Sequence, residues 1–173
     1  MNIIKKSLIF STILILFSCG TSHNYTMNNL NQNFYQNKTI YFILDTNSIK
    51  EVKMSGLYTT TIFDDNYPPI VEDVFKESIE ELAKETKFDL KFIKDRNNIS
   101  SNEIVVEAKI SEISWHFGFS RATFRTKLEY NILNSNDIYE TDGIRKSGGG
   151  SKTNNLRKSL KDANYKFLKK FEK

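Results

Sequence analysis

The sequence predicts an α+β domain, a two-layer sandwich in which a largely antiparallel sheet carries two helices on one face. Three observations lead there. Apolar and polar residues alternate over several stretches, as half-buried strands require. Two other segments repeat apolar residues at helical spacing. These segments follow the first strand and close the chain, so the order reads strand, helix, strands, helix. With 173 residues, 39% hydrophobic and 13% aromatic, the chain can fill one core, and 27% charged residues is ordinary for a globular domain.

Thr39-Ile40-Tyr41-Phe42-Ile43-Leu44 is a run of β-branched and aromatic residues ended by Asp45-Thr46-Asn47-Ser48, and it reads as a buried central strand. The stretch from Ile49 to Phe63 admits two readings, an edge strand or an ordered loop. Ser55-Gly56 can turn the chain, whereas Leu57-Tyr58-Thr59-Thr60-Thr61-Ile62 has strand propensity. Pro68-Pro69 then sets the start of a helix, with Glu72 and Asp73 at its positive end. Val71, Val74, Phe75, Ile79, Leu82 and Ala83 make its apolar face, and Glu80 and Lys84 form an i,i+4 pair on the wet side.

Phe88, Leu90 and Phe92 alternate with polar residues as a short strand, and Arg96-Asn97-Asn98 marks a turn. Ile104, Val106, Ala108 and Ile110 alternate again. The phase then shifts to Ile113, Trp115, Phe117 and Phe119, which predicts a β-bulge near Ser111-Glu112. Phe124, Thr126, Leu128, Tyr130 and Ile132 form the return strand of a long hairpin. After Asn134-Ser135-Asn136-Asp137 a last strand through Ile138 and Ile144 completes a meander. Gly148-Gly149-Gly150 breaks the sheet. A terminal helix from about Asn154 buries Leu156, Leu160, Ala163, Phe167 and Phe171.

Ahead of this domain, Met1 to Lys6 gives a short basic start, Ser7 to Phe17 is an apolar stretch of 11 residues, and Ser18-Cys19-Gly20 closes it with small residues. That is the layout of a signal peptide, and it is too short for a transmembrane helix, which needs about 20 residues. Leu16-Phe17-Ser18-Cys19 resembles the lipobox of bacterial lipoproteins: an aliphatic residue, a tolerant position, a small residue and the cysteine. The resemblance implies cleavage between Ser18 and Cys19, a thioether-linked diacylglycerol on Cys19, and acylation of the new amino terminus. Two or more acyl chains suffice for stable membrane attachment. The plainer reading is a secretory leader with an incidental cysteine. Gly20 is not the aspartate associated with inner-membrane retention, so the expected address is the outer membrane, facing the periplasm.

The chain therefore divides into a signal peptide (1–18), a flexible polar tether (19–38) and a single domain (39–173). Tyr25, Leu30, Phe34 and Tyr35 are scattered through the tether, and its aromatic residues can dock partly on the fold. The element order, with the lipobox, resembles the small domains of envelope lipoproteins of the YajG-like and ABC-transport-auxiliary families, over roughly Thr39 to Lys173. That resemblance implies a non-enzymatic accessory protein, held to a membrane through Cys19, that binds an envelope protein, a lipid or a glycan. A self-assembling envelope protein and an enzyme of unfamiliar type are the alternatives.

Composition and motifs narrow the chemistry. Of the formal charge of +4, Lys5 and Lys6 belong to the leader, leaving +2, too little to point to nucleic acid. A single cysteine excludes an internal disulfide and a cysteine-based zinc site, and His23 and His116 are too far apart in the chain's organisation to make a metal pair. Asp45, Asp64 and Asp65 either converge as metal-binding or acid/base carboxylates or, as their places at a strand end and before prolines favour, serve as turn formers and helix caps. No catalytic residue, metal or cofactor is assigned. Ser147-Gly148-Gly149-Gly150-Ser151-Lys152-Thr153 lacks the phosphate-loop pattern, because Ser151 and Lys146 stand where glycine is required. It is either a flexible connection or a weak anion cradle at a helix start.

The candidate binding residues are Trp115, Phe117 and Phe119, three large aromatics near a hairpin tip. They either form an exposed patch for a protein, acyl chain or glycan, or fold over the sheet to complete the core. The terminal helix carries Arg157, Lys158, Lys161, Lys166, Lys169, Lys170 and Lys173. This is a solvated basic face or a surface for an anionic membrane.

Overall fold

A computed structural model describes residues 25–26, 29–57, 68–96, 99, 103–133, 135 and 137–173. Cys19, His23, Asp64, Asp65 and the segment from Tyr58 to Ile62 lie outside the described residues. In chain order the elements are α1 (Gln32–Tyr35), β1 (Thr39–Leu44), β2 (Lys53–Gly56), α2 (Val71–Thr86), β3 (Asp89–Phe92), β4 (Ile104–Phe117), β5 (Ala122–Ile132), β6 (Ile138–Ser147) and α3 (Lys152–Phe171).

The strands form one sheet in the order β3-β1-β4-β5-β6, with β2 following β1 along the same side of β4. The long ladders β4/β5 and β5/β6 are antiparallel and make up most of the sheet, and the predicted bulge is present as a register shift between Ile110 and Glu112. This is the α+β sandwich expected. The other half departs from the simple meander: β1 pairs in parallel with both β3 and β4, and β2 pairs in parallel with β4. Helix α2 is the crossover that lets β1 and β3 run parallel as neighbours. Ser55-Gly56, expected as a possible turn, instead ends β2. The chain turns at Leu57, whose amide donates to the Phe117 carbonyl at 2.9 Å.

Helices α2 and α3 pack side by side on one sheet face. They run in the same direction. Arg157 pairs with Glu77 and Glu81, and Lys161, one turn on, pairs with Glu81 and Glu85. Glu80 pairs within its own helix with Lys76, 3.9 Å away and one turn before it. Phe75, Ile79 and Leu82 from α2, Leu156, Leu160 and Phe167 from α3, and Ile40, Phe42, Ile110, Phe124 and Leu128 from the sheet form the core. Helix α3 starts at Lys152, two residues before the expected position, because the Ser151 side chain accepts from the Asn154 amide.

A buried polar chain ties the layers together. The Tyr130 hydroxyl donates to Asn164 Oδ1 at 2.8 Å, Asn164 Nδ2 donates to Ser78 Oγ at 3.0 Å, and that hydroxyl donates to the Phe75 carbonyl at 2.6 Å. A sheet strand and both helices are thereby registered through one set of satisfied groups. Gly143 explains how closely α3 approaches β6, since a Cβ at this position would collide with the Ser159 carbonyl.

Candidate functional site

The hairpin aromatics separate into two environments. Trp115 is 2% exposed, Phe117 is 6% exposed, and Phe119 is 89% exposed. Beyond the bulge, Ile113, Trp115 and Phe117 continue the inward phase of Ile110. The Trp115 ring lies 4.5 Å from Phe117 and 5.6 Å from Phe124. Phe119 falls in the turn that the Gly118 amide closes on the Arg121 carbonyl. Of the two readings, Trp115 and Phe117 follow the one in which the rings complete the core, so they form no exposed patch, and Phe119 alone stands in solvent.

The expected flexible tether is likewise docked over its described part. Tyr25, Leu30 and Tyr35 are all buried. The Tyr25 hydroxyl donates to Asp162 Oδ1 at 3.3 Å, its ring lies 5.1 Å from that of Tyr165, and Lys161 Nζ stands 5.2 Å above it. Further on, the Asn31 amide donates to Glu172 Oε2 at 2.7 Å, and Phe34 meets Phe171 edge-on. The Tyr35 hydroxyl donates to the Leu168 carbonyl at 2.6 Å, and its ring stacks on Phe88 at 4.5 Å. Burial pushes both phenols above their ordinary range, and for Tyr25 the Asp162 charge adds to the effect. This segment thus runs along α3 from its middle to its end.

On its other flank α3 seals the free edge of β6. Asp162 Oδ2 accepts from the Ile144 amide at 2.8 Å and from Lys166 Nζ at 2.7 Å. Lys166 Nζ also donates to the Asp142 carbonyl at 2.8 Å, and Lys170 Nζ donates to the Glu140 carbonyl at 2.6 Å. Four residues of helix advance about 6 Å and two residues of strand about 6.6 Å, so i,i+4,i+8 side chains meet alternate edge groups in step. This 162/166/170 spacing was the readable signal for edge protection, and the sequence reading passed over it.

Between the same two elements is a groove of about 420 Å³, lined by Thr141 and Ile144 with Lys166, Lys169, Lys170 and Lys173. Lys158 lies farther back on α3. Partial burial and then the charges of Arg145, Arg157 and Lys161 hold its ammonium below the ordinary lysine range.

Other chemistry-bearing groups have structural employment. Asp45 Oδ1 accepts from the Asn47 amide at 2.7 Å, closing a turn. Ser55 Oγ and His116 Nδ1 lie 3.1 Å apart as exposed cross-strand neighbours. In the glycine loop, Asn155 Nδ2 donates to the carbonyls of Gly149, Gly150 and Ser151, so carbonyl oxygens converge there, the wrong polarity for an anion. A polar cleft of about 570 Å³ under α1 includes Asn37, Thr39, Lys87 and Asp89. The Thr39 hydroxyl, and secondarily Lys91, hold the Asp89 carboxyl below its usual range. Among the described residues no group of three or more His, Cys, Asp or Glu is placed to hold a metal, and no helix is long and apolar enough to cross a membrane.

No protein-family model and no curated protein matches the chain. A crystal structure described only as an uncharacterized protein is similar at 7% identity with a TM-score of 0.41, covering 78% of this chain and 90% of that one. A PelC variant from Paraburkholderia phytofirmans, described as a dodecamer, is similar at 12% identity and a TM-score of 0.39, covering 85% and 93%. A hypothetical protein from Chlamydia trachomatis is similar at 12% identity and 0.35, covering 77% and 92%. Values this low carry neither a family nor a function to this chain.

Proposed function

We propose that the chain is a lipid-anchored envelope protein that serves as a non-enzymatic binding or accessory module, attached through Cys19 to the periplasmic face of the outer membrane. The observation that carries this reading is Leu16-Phe17-Ser18-Cys19 at the end of an 11-residue apolar stretch with a basic start. Two features of the folded part support it. The chain enters the domain at Tyr25, six residues after the cysteine, so a lipid on Cys19 would lie within about 20 Å of the fold. Among the described residues, Asp45 and His116, which a catalytic reading would recruit, are engaged in a turn and a cross-strand pair.

The test compares the full chain with Cys19→Ser in cells fed labelled palmitate. Label and membrane sedimentation are expected for the parent and lost in the variant. A parent chain whose mass shows a free thiol at Cys19, or processing downstream of it, overturns the proposal.

A further inference from the structure

We infer that the outer face of α3 lies against the anionic phospholipid headgroups of the membrane that holds the anchor, an inference that rests on the lipidation of Cys19 proposed above. Two independent observations meet here, one of reach and one of charge.

Six residue steps separate Cys19 from Tyr25, and a chain spans at most 3.3–3.6 Å per residue, so the anchor lies within about 20 Å of Tyr25. Tyr25 is fixed to Asp162 and Tyr165, at the middle of α3. At 1.5 Å per residue, Lys158 and Lys173 are only about 11 and 12 Å along the helix from Tyr165. Docking of this segment therefore keeps α3 close to the membrane. Had it been free up to Thr39, the same chain would have reached about 70 Å.

The charges of α3 are sorted by side. Toward α2, Arg157 and Lys161 are matched by Glu77, Glu81 and Glu85. Toward the outside and β6 stand Lys158, Lys166, Lys169, Lys170 and Lys173. Lys166 pairs with the Asp162 carboxylate and also touches the Asp142 carbonyl, Lys170 touches the Glu140 carbonyl, and Lys158, Lys169 and Lys173 add to the positive charge of this side. The acidic groups nearby are Asp162, which is buried, Glu172, which accepts from Asn31, and Asp142 beside the groove. Lys158 is partly buried and, after that, crowded by the charges of Arg145, Arg157 and Lys161, a crowding that an anionic surface would relieve. A short tether and a basic patch on the same helix make the two attachment signals that membrane proteins without a spanning segment combine.

The experiment reconstitutes the purified, lipidated chain into vesicles of phosphatidylcholine alone or with phosphatidylglycerol, and reads acylation of each lysine by mass spectrometry. Lys158, Lys166, Lys169, Lys170 and Lys173 should be protected about fivefold in the anionic vesicles relative to Lys50, Lys53 and Lys94, and high salt should abolish the protection. Lys169→Glu with Lys173→Glu should float with the vesicles as before and lose protection at the remaining three positions. Even labelling of a floating chain, or protection centred on Lys50, Lys53 or Lys94, overturns the orientation. A chain that floats with neither vesicle overturns the anchored reading itself and this inference with it.

Discussion

Trp115 and Phe119 are four residues apart in one hairpin and share one phase, and the end of β4 separates them. The bulge between Ile110 and Glu112 resets the alternation so that Trp115 points inward, while Phe119 lies past the end of β4, where no strand geometry directs it. Trp115→Ala should cost about 3–5 kcal/mol in a urea unfolding curve, because it empties a packed site. Phe119→Ala should shift the curve by no more than about 0.5 kcal/mol. Equal effects would contradict the assignment of one ring to the core and the other to solvent. Alternation alone could not divide the three aromatics, because it reports which residues share a face and is silent on where a strand stops. The phenols give a second expectation at this scale. Tyr25, Tyr35 and Tyr130 are held protonated chiefly by burial, so their folded pKa values lie above the ordinary 10.0. Their contribution to stability is then complete below pH 10.0 and lost as pH rises beyond it. Denaturant melts across the alkaline range should show that decline, and Tyr25→Phe with Tyr35→Phe should flatten its slope.

The junction of α3 with β6 joins local spacing to tertiary order. Strand edges that expose unpaired backbone groups recruit other strands, and here Asp162, Lys166 and Lys170 occupy the outward groups of Ile144, Asp142 and Glu140. Asp162→Ala removes an acceptor for three donors at once, from Tyr25, Ile144 and Lys166. It should destabilise the chain by about 2–4 kcal/mol and raise its tendency to self-associate in sedimentation. A stable, monodisperse variant would show that the edge needs no seal. The elements themselves were largely readable. Helical repeats marked α2 and α3, and alternation marked β3, β4 and β5 and located the bulge. The partners of β1 and β2 were not readable, because periodicity encodes a buried face and carries no information about which strand lies alongside. Nor was α1, a single turn within a run of Asn and Gln that forms because Asn31 caps it and Phe34 and Tyr35 find rings to pack against.

Across the whole molecule, composition suggested a nearly neutral domain and a loose leash, and folding rearranges both. A charge of +2 beyond the leader becomes a helix whose cations are matched by α2 on one side and outnumber the single paired Asp162 on the other. A polar stretch expected to sway instead lies down along that helix. Tyr25, Leu30 and Tyr35 were visible as apolar residues in polar surroundings, but their docking partners are about 130 residues away in sequence and no local pattern announces them. The carboxylate of Asp162 holds Tyr25 with one oxygen and the outer strand with the other. If the anchoring proposed above holds, a pull transmitted through Cys19 would reach the fold at this carboxylate. Loss of both its grips would release the Tyr25 end of the entry segment and uncover the Ile144 amide, while Tyr35, Lys166 and Lys170 kept the rest of the segment and of the edge in place.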